Sequence, residues 1–296
     1  MTPRLSVVIT AFREAGTIGQ AIEAFLGQLP DDGEIIVVCP DPETTAVVDG
    51  YADRTPVVRH AADPQRGKPT ALNAGLEAAE GDIVVLSDGD VVIDDDALAP
   101  LVGPFQDSDV GAVSGHPISV NPRDTQMGYW SHVLTDGIHQ MRMTRDRAGR
   151  FLLCSGYLFA FRRRLVQEVP SDALAEDAVI SHYIARQGHR IRYAPEARVY
   201  VRYPTSYGDW LRQKVRSAGG YAQKYVRQSR VRMRSPWLEV KTGARLALAY
   251  PQDFREFGWT LLLFGGRIHL WLLVLIKVRL LRRPLDTLWK RVESTK

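Results

Sequence analysis

Apolar residues in the first hundred positions come in short unbroken runs rather than in alternation. Leu5 to Thr10, Glu34 to Cys39 and Ile83 to Leu86 are each bounded by turn-forming residues, as strands buried on both faces are. Between them, Gly16 to Leu26 sets Ile18, Ala21, Ile22 and Phe25 at helical spacing. Glu43 to Tyr51 reads as helical, Val57-Val58 marks a short third strand, and Pro69 opens a helix at a position that suits proline. Strands alternating with helices predict a mostly parallel sheet with right-handed crossovers.

After Val110 to Ser114 the pattern loosens, and residues 124–148 mix aromatics, Met and Arg without a clear period. Gly156 to Phe161 reads as a strand and Asp177 to Gln187 as a helix. Arg190 to Tyr193 and Arg198 to Tyr203 read as two strands, and a long basic helix is expected over Tyr207 to Gln228. No internal repeat or low-complexity linker interrupts the chain. The segment Trp259 to Leu281 is strongly apolar but carries Arg267, His269, Lys277 and Arg279. A spanning helix needs about 20 predominantly apolar residues, and a charge near its centre costs roughly 2.5–3.5 kcal/mol. Helices lying in a membrane interface therefore fit better than a span, with a buried helix pair as the alternative. The expected organisation is an α/β domain over residues 1–235 and a C-terminal helical, membrane-associating region over 236–296.

The 296 residues are enough to bury a full core, and their ordinary composition excludes disordered, collagenous and disulfide-scaffold classes. Cys39 and Cys154, the only cysteines, both sit in apolar surroundings, which points to reduced core thiols in a cytosolic compartment. The N-terminus runs directly into a strand without a signal-peptide pattern. The net charge of +4 conceals a polarity: residues 1–120 carry 20 acids and 6 bases, residues 121–296 carry 14 acids and 32 bases. A basic half suits phosphate groups or an anionic membrane surface. Nucleic acid is not favoured, since no recognised nucleic-acid motif accompanies the charge.

Candidate chemistry concentrates at Asp88-Gly89-Asp90, where the apolar run from Ile83 ends in two carboxylates. Residues two apart in extended chain face one side, and the carboxyl ends of strands are where open α/β sheets bind ligands. Mg²⁺ takes one or two carboxylates together with substrate phosphates. Solvated loop acids, or a cap for the helix suggested by Asp94 to Leu98, would leave the same residues.

Several further segments, in order, resemble family 2 glycosyltransferases of the GT-A fold over about residues 4–230. Thr10-Ala11-Phe12-Arg13-Glu14 is similar to the family's nucleotide-binding turn P-x-Y-N-E, with Ala11, Phe12 and Glu14 carried over. Cys39-Pro40-Asp41 places Asp41 where the family holds the base, and a carboxylate can accept from a uracil N–H. Gly67-Lys68-Pro69-Thr70-Ala71-Leu72-Asn73-Ala74-Gly75 is similar to G-K-x-x-A-L-N-x-G, which sets Lys68 beside the nucleotide-sugar. It is not a P-loop, since Ala62 stands where that motif needs its first glycine. Asp88-Gly89-Asp90 matches D-x-D, which implies that Asp88 contacts the nucleoside or sugar and that both acids serve a Mg²⁺ or Mn²⁺ ion, Asp90 chiefly.

On the acceptor side, Gly156 to Arg162 resembles G-x-x-x-x-x-R, and Ala175-Glu176-Asp177 resembles T-E-D with Ala for Thr. The resemblance makes Asp177 the catalytic base and puts Gly156, Arg162 and Glu176 beside it; capping of the helix that follows would also explain the acids. Gln213-Lys214-Val215-Arg216-Ser217 resembles Q-x-x-R-W with Ser217 for Trp. Gln213 and Arg216 share a helix face suited to a diphosphate, while the usual acceptor-stacking tryptophan is missing, which argues against chain polymerisation. The implied activity is metal-dependent, inverting transfer of a sugar, UDP-linked by expectation, to a hydroxyl of a lipid-linked or glycan acceptor at the cytosolic face of a membrane. Two rivals stand beside it: a sugar-nucleotide nucleotidyltransferase, which would want a glycine-rich N-terminal loop, and a non-catalytic nucleotide-sugar-binding scaffold.

Overall fold

The computed structural model describes residues 3–220, 223–227 and 236–276. In its first half, β1 (Leu5–Thr10), β2 (Glu34–Cys39), β3 (Val58–Ala62) and β4 (Ile83–Asp88) alternate with α1 (Ile18–Leu26), α2 (Pro42–Ala52) and α3 (Lys68–Ala78). The second half runs β5 (Val92–Ile93), α4 (Leu98–Val102), β6 (Val110–Ser119), α5 (Gln126–Arg147), β7 (Leu158–Arg162), α6 (Glu176–Arg186) and β8 (Arg190–Val201). It closes with α7 (Tyr207–Gly220), α8 (Lys224–Arg227), α9 (Pro236–Ala249) and α10 (Phe254–Val274).

One eight-stranded sheet collects the strands in the order β3-β2-β1-β4-β7-β6-β8-β5. β3, β2, β1 and β4 are parallel, as the apolar runs predict, and β6 pairs parallel with β8; β7 and β5 run antiparallel to their neighbours. β1 shows why its sequence reads as a continuous apolar run. Val7 and Ile9 join the core beneath α1 and α2, whereas Val8 joins the opposite core beneath α3 and α6. Both thiols are free and buried.

Three local expectations change. Residues 124–148, without a legible period, form the 22-residue α5, capped by the Thr125 hydroxyl accepting from Gly128 N at 3.1 Å. Arg190 to Val201 is one strand, with register irregularities against β6 where two strands are expected. The expected basic helix is described as two pieces, α7 to Gly220 and α8 over Lys224–Arg227, with Gln223 a bend between them; Gln228, Arg230, Arg232 and Arg234 lie outside the described residues.

α10 carries the apolar segment as far as Val274; Lys277, Arg279 and Leu281 lie outside the described residues. By length and composition it could cross a membrane, with a mean hydropathy of 1.4. One side of it is nonetheless built into the domain. Leu263 shares a core with Met127, Trp130, Val133 and Trp210 of α5 and α7. Arg123 makes a two-pronged pair with Glu256 at 2.7 and 2.9 Å, Tyr129 Oη meets Thr260 Oγ1 at 2.7 Å, and Trp130 Nε1 donates to Trp259 O at 2.8 Å. The boundary drawn at residue 236 thus separates two sequence patterns that share one core. Phe257, Leu261, Leu262, Ile268 and Leu272 face outward and are exposed.

Glu256 is only 6% exposed, and removing it takes from the partly exposed Arg123 both arms of its pair, leaving the bond to Tyr250 O at 3.4 Å. Glu256→Ala is expected to lower unfolding stability by about 2 kcal/mol. Chemical denaturation measures this, and a loss below 1 kcal/mol would show that α10 is held by its apolar contacts alone.

Candidate functional site

β1 and β4 are neighbours although β2 and β3 intervene in sequence, and ligands of open α/β sheets sit outside the carboxyl ends of such a switch pair. Thr10 stands opposite Asp88 in the register, with its hydroxyl 3.5 Å from Asp88 Oδ1. Gly89 N donates to Thr10 O at 3.0 Å. A Cβ on Gly89 would lie 2.6 Å from Glu14 Oε2 and 2.7 Å from Ala11 Cβ. Only glycine between the two aspartates lets the end of β4 press against the turn after β1.

α3 delivers Lys68, whose Nζ lies 2.5 Å from Asp88 Oδ1. Burial opposes the charge, but Asp88 and Glu176 outweigh it and push the lysine above its ordinary range. The rest of the segment serves the fold. Asn73 exchanges two 2.8 Å hydrogen bonds with the backbone of Val169, and a Cβ on Gly75 would lie 2.4 Å from Val8 Cγ1, so α3 rests directly on β1.

Glu176 and Asp177 occupy the first turn of α6. The N-cap is Ala175, without a side-chain cap, and the Asp177 carboxylate accepts no hydrogen bond among the described residues. Capping therefore does not consume it. Ser181 Oγ donates to Asp177 O at 2.6 Å and accepts from Cys154 N at 3.0 Å, which pins α6 to the segment before β7. There the Cβ position of Gly156 lies 3.7 Å from the Asp177 carboxyl group. Burial raises the Glu176 carboxyl above its ordinary value, with the charge of Lys68 pulling the other way. From α7, Gln213 and Arg216 reach the same place. Lys68, Asp88, Gly156, Glu176, Asp177, Gln213 and Arg216 all line one cavity of about 190 Å³.

The remaining expected residues lie around it. Asp90 follows β4 in the turn, close enough that its charge and that of Asp88 add to burial in raising the Tyr157 phenol. Ala11 is buried, with its N–H on Val38 O at 3.0 Å, and Phe12 is exposed beneath the Arg13 guanidinium, 5.4 Å above its ring. Asp41 caps α2: it accepts from Thr44 N at 3.1 Å, from Thr44 Oγ1 at 2.6 Å and from Arg13 N at 2.7 Å. These bonds, against a desolvation that works the other way, hold its carboxyl below the ordinary value.

Arg162 is a correction. Expected beside the acceptor, it is paired with Ile83 at the opposite end of β4, about 16 Å from Asp88 by strand rise. Its guanidinium is spent on the carbonyls of Val110, Phe105 and Asp107 at 2.8–3.0 Å, a strap between β7 and the α4–β6 loop. The cavity also brings in residues that the sequence patterns do not single out: His116, Thr135, His139, Arg142, Tyr193, Tyr203 and Trp210. Several come from α5, and the cleft-lining set Met127, Ser131, Leu134, Ile138 and Arg142 does recur at helical spacing.

Among the described residues there is no group of three or more His, Cys, Asp or Glu that could alone hold a metal. Two carboxylates are nonetheless sufficient for a hard divalent cation when substrate phosphate oxygens complete its shell. Asp88 and Asp90 fit that donor set.

The profile described as glycosyltransferase like family 2 matches residues 3–220. The chain belongs to this family. Curated relatives include the poly-β-1,6-N-acetyl-D-glucosamine synthase of Staphylococcus aureus, 25% identical over 222 residues, 73% of this chain and 54% of that one. An N-acetylglucosaminyltransferase of Azorhizobium caulinodans is 26% identical over 242 residues, 74% of this chain and 59% of that one. The chain thus spans little more than half the length of these relatives. Among solved structures, a mannosyltransferase from Pyrobaculum calidifontis in complex with GDP-mannose and Mn²⁺ matches with a TM-score of 0.64 and 25% identity, over 97% of this chain and 83% of that one. TarS of Staphylococcus aureus in complex with UDP matches with a TM-score of 0.52 and 15% identity, over 87% of this chain and 75% of that one, a likeness of fold. The fold is that of the GT-A glycosyltransferases.

Proposed function

We propose that this protein is an inverting glycosyltransferase that moves a sugar from a nucleoside diphosphate to a hydroxyl acceptor at a membrane surface. The observation that carries the reading is the uncapped Asp177 carboxylate, which shares one cavity with Asp88, Lys68 and Arg216. The acceptor hydroxyl attacks the anomeric carbon on the face opposite the diphosphate. As the new C–O bond forms, Asp177 takes the hydroxyl proton, and the bond to the diphosphate breaks with its electron pair leaving on the phosphate oxygen. One displacement inverts the anomeric centre. Lys68, held charged by its carboxylate neighbours, and Arg216 balance the negative charge that develops on the departing group.

Asp88 and Asp90 would hold Mg²⁺ or Mn²⁺, which supplies further neutralisation of the diphosphate when bound. The neighbour crystallised with GDP-mannose and Mn²⁺ supports this choice of cofactor. UDP is the expected nucleotide, and Asp41 keeps a free lone pair on Oδ2 for a base N–H beyond its bond from Arg13. The outward face of α10, beside a basic C-terminal half, supports peripheral or monotopic attachment to an anionic, cytosol-facing membrane surface and a lipid-linked acceptor.

Asp177→Asn should lower turnover about 10²- to 10⁴-fold while nucleotide affinity stays within a few-fold. Steady-state kinetics alongside calorimetric titration with UDP and GDP decide it, and substantial turnover in the variant would require another base. Asp90→Ala should weaken nucleoside diphosphate binding in Mn²⁺ but leave binding in EDTA nearly unchanged. Equal losses in both conditions would mean that Asp90 acts without a metal.

Replacing Leu261, Leu262 and Ile268 by Ser alters the exposed face of α10 and none of its buried contacts. This variant should keep its unfolding midpoint but no longer float with vesicles containing anionic lipid. Undiminished flotation would place the membrane contact elsewhere on the protein.

A further inference from the structure

Among the described residues the Asp177 carboxylate accepts no hydrogen bond, so the main chain sets where it stands. It lies against Gly156, with its carboxyl carbon and Oδ2 each 3.7 Å from the place a Cβ would take. Cys154 to Tyr157 is therefore the surface on which the carboxylate rests. This segment precedes β7 and is joined to it by a single bridge between Ser155 and Leu158. Cys154 and Ser155 are buried, at 1% and 4% exposure. Buried main-chain groups outside a regular ladder must find partners elsewhere.

Three serines from three elements supply them. Ser181 of α6 accepts from Cys154 N at 3.0 Å, and Ser114 of β6 accepts from Ser155 N at 3.0 Å. Ser87 of β4 donates to Tyr157 O at 3.2 Å. All three serines are buried. Ser181 also donates to Asp177 O at 2.6 Å, and Ser114 donates to Gly115 O at 3.1 Å. Each of these two hydroxyls thus gives one hydrogen bond and takes one, which fixes its orientation.

The frame has reactive groups at both ends. Ser87 directly precedes Asp88, and Ser181 stands one helical turn after Asp177. Leu158, which opens β7, is opposite Ser87 in the register. Asp88, Gly156 and Asp177 line the same cleft, whereas Ser114 and Ser181 are not among its lining residues. Their influence on a bound substrate must therefore run through the groups they hold.

We infer that Ser181 and Ser114 are positioning residues for the transfer, holding Cys154 to Tyr157 so that the Asp177 carboxylate stands at a fixed distance from the donor beside Asp88. This rests on the proposed transferase activity and adds the residues that set its geometry. A misplacement of about 1 Å at a reacting group can cost on the order of 100-fold in rate.

The test is a kinetic cycle in the full chain. Ser181→Ala, Ser114→Ala, Asp177→Asn and the two double variants with Asp177→Asn are compared for release of UDP from UDP-N-acetylglucosamine or of GDP from GDP-mannose. Chitopentaose, mannopentaose or vesicle-borne undecaprenyl phosphate serves as acceptor. Each serine variant should lose at least about tenfold in kcat, with donor KM and nucleotide affinity within about twofold of wild type. In the Asp177→Asn background the same substitutions should change the residual rate by less than about twofold, because the group they position is no longer a base. A merely structural role would cost the same in both backgrounds. Ser181→Cys, similar in size but a weak donor and acceptor, takes the place of any alanine variant that loses its unfolding transition. Unchanged kcat, a raised donor KM in place of a lowered kcat, or equal losses in both backgrounds would overturn the assignment and leave the transferase standing. A wild type that binds neither nucleotide or cleaves neither donor would remove the transferase reading itself.

Discussion

The centre of this molecule depends on one cation. Asp88 at the end of β4 and Glu176 and Asp177 at the start of α6 converge on the mouth of the cleft, and Lys68 stands among them. Two like charges 4 Å apart cost about 4 kcal/mol at an effective dielectric constant near 20. Without the lysine, Arg216 from α7 alone would offset the repulsion between the carboxyl end of the sheet and the N-terminus of α6 where the cleft forms. The carboxylates in turn keep the lysine charged despite burial. A group held in that state suits a site for a diphosphate, since its charge is already present and needs no reorganisation when an anion arrives.

That cluster explains why the sequence was readable where it was. Strands buried on both faces must be continuous apolar runs, so β1, β2 and β4 declare themselves, and the residues at their carboxyl ends become the suspects. Asp88, Lys68, Asp177, Gln213 and Arg216 do converge. Arg162 misleads because strand position alone does not say which end of the sheet a residue occupies. β7 runs antiparallel to β4, so moving along it from Gly156 leads away from the site. Asp41 illustrates a different ambiguity: its backbone partners Arg13 N and Thr44 N show a cap, whatever else it contacts. α5 stayed hidden because its buried face mixes Ser131, Thr135 and Arg142 with its apolar residues, which blurs the hydrophobic period. Those polar positions are the ones that face the cleft.

The C-terminal segment shows how an apolar stretch can dock on a domain through its polar groups. Charges inside Trp259 to Leu281 weigh against a free span, and α10 uses polar groups to dock: Glu256 on Arg123, Thr260 on Tyr129, His269 on Tyr207 at 2.8 Å. The opposite face keeps its leucines and isoleucines outside. Because Gly266 packs against both Trp130 and Trp210, α10 is also the outer support of the cleft wall.

The division of labour inside the matched segments bears on how far a motif can be trusted. In Gly67 to Gly75, only Lys68 reaches the cleft; Asn73 staples a loop and Gly75 seats the helix on β1. In Asp88-Gly89-Asp90 the glycine is there for close packing, while Asp88 lines the cleft. A chain could keep all the fold-bearing positions and lose the reaction, or keep the reaction and change its acceptor. Here Asp88, Lys68, Asp177, Gln213 and Arg216 still share one cleft, and the departure from the pattern is Ser217, on the cleft-lining side of α7.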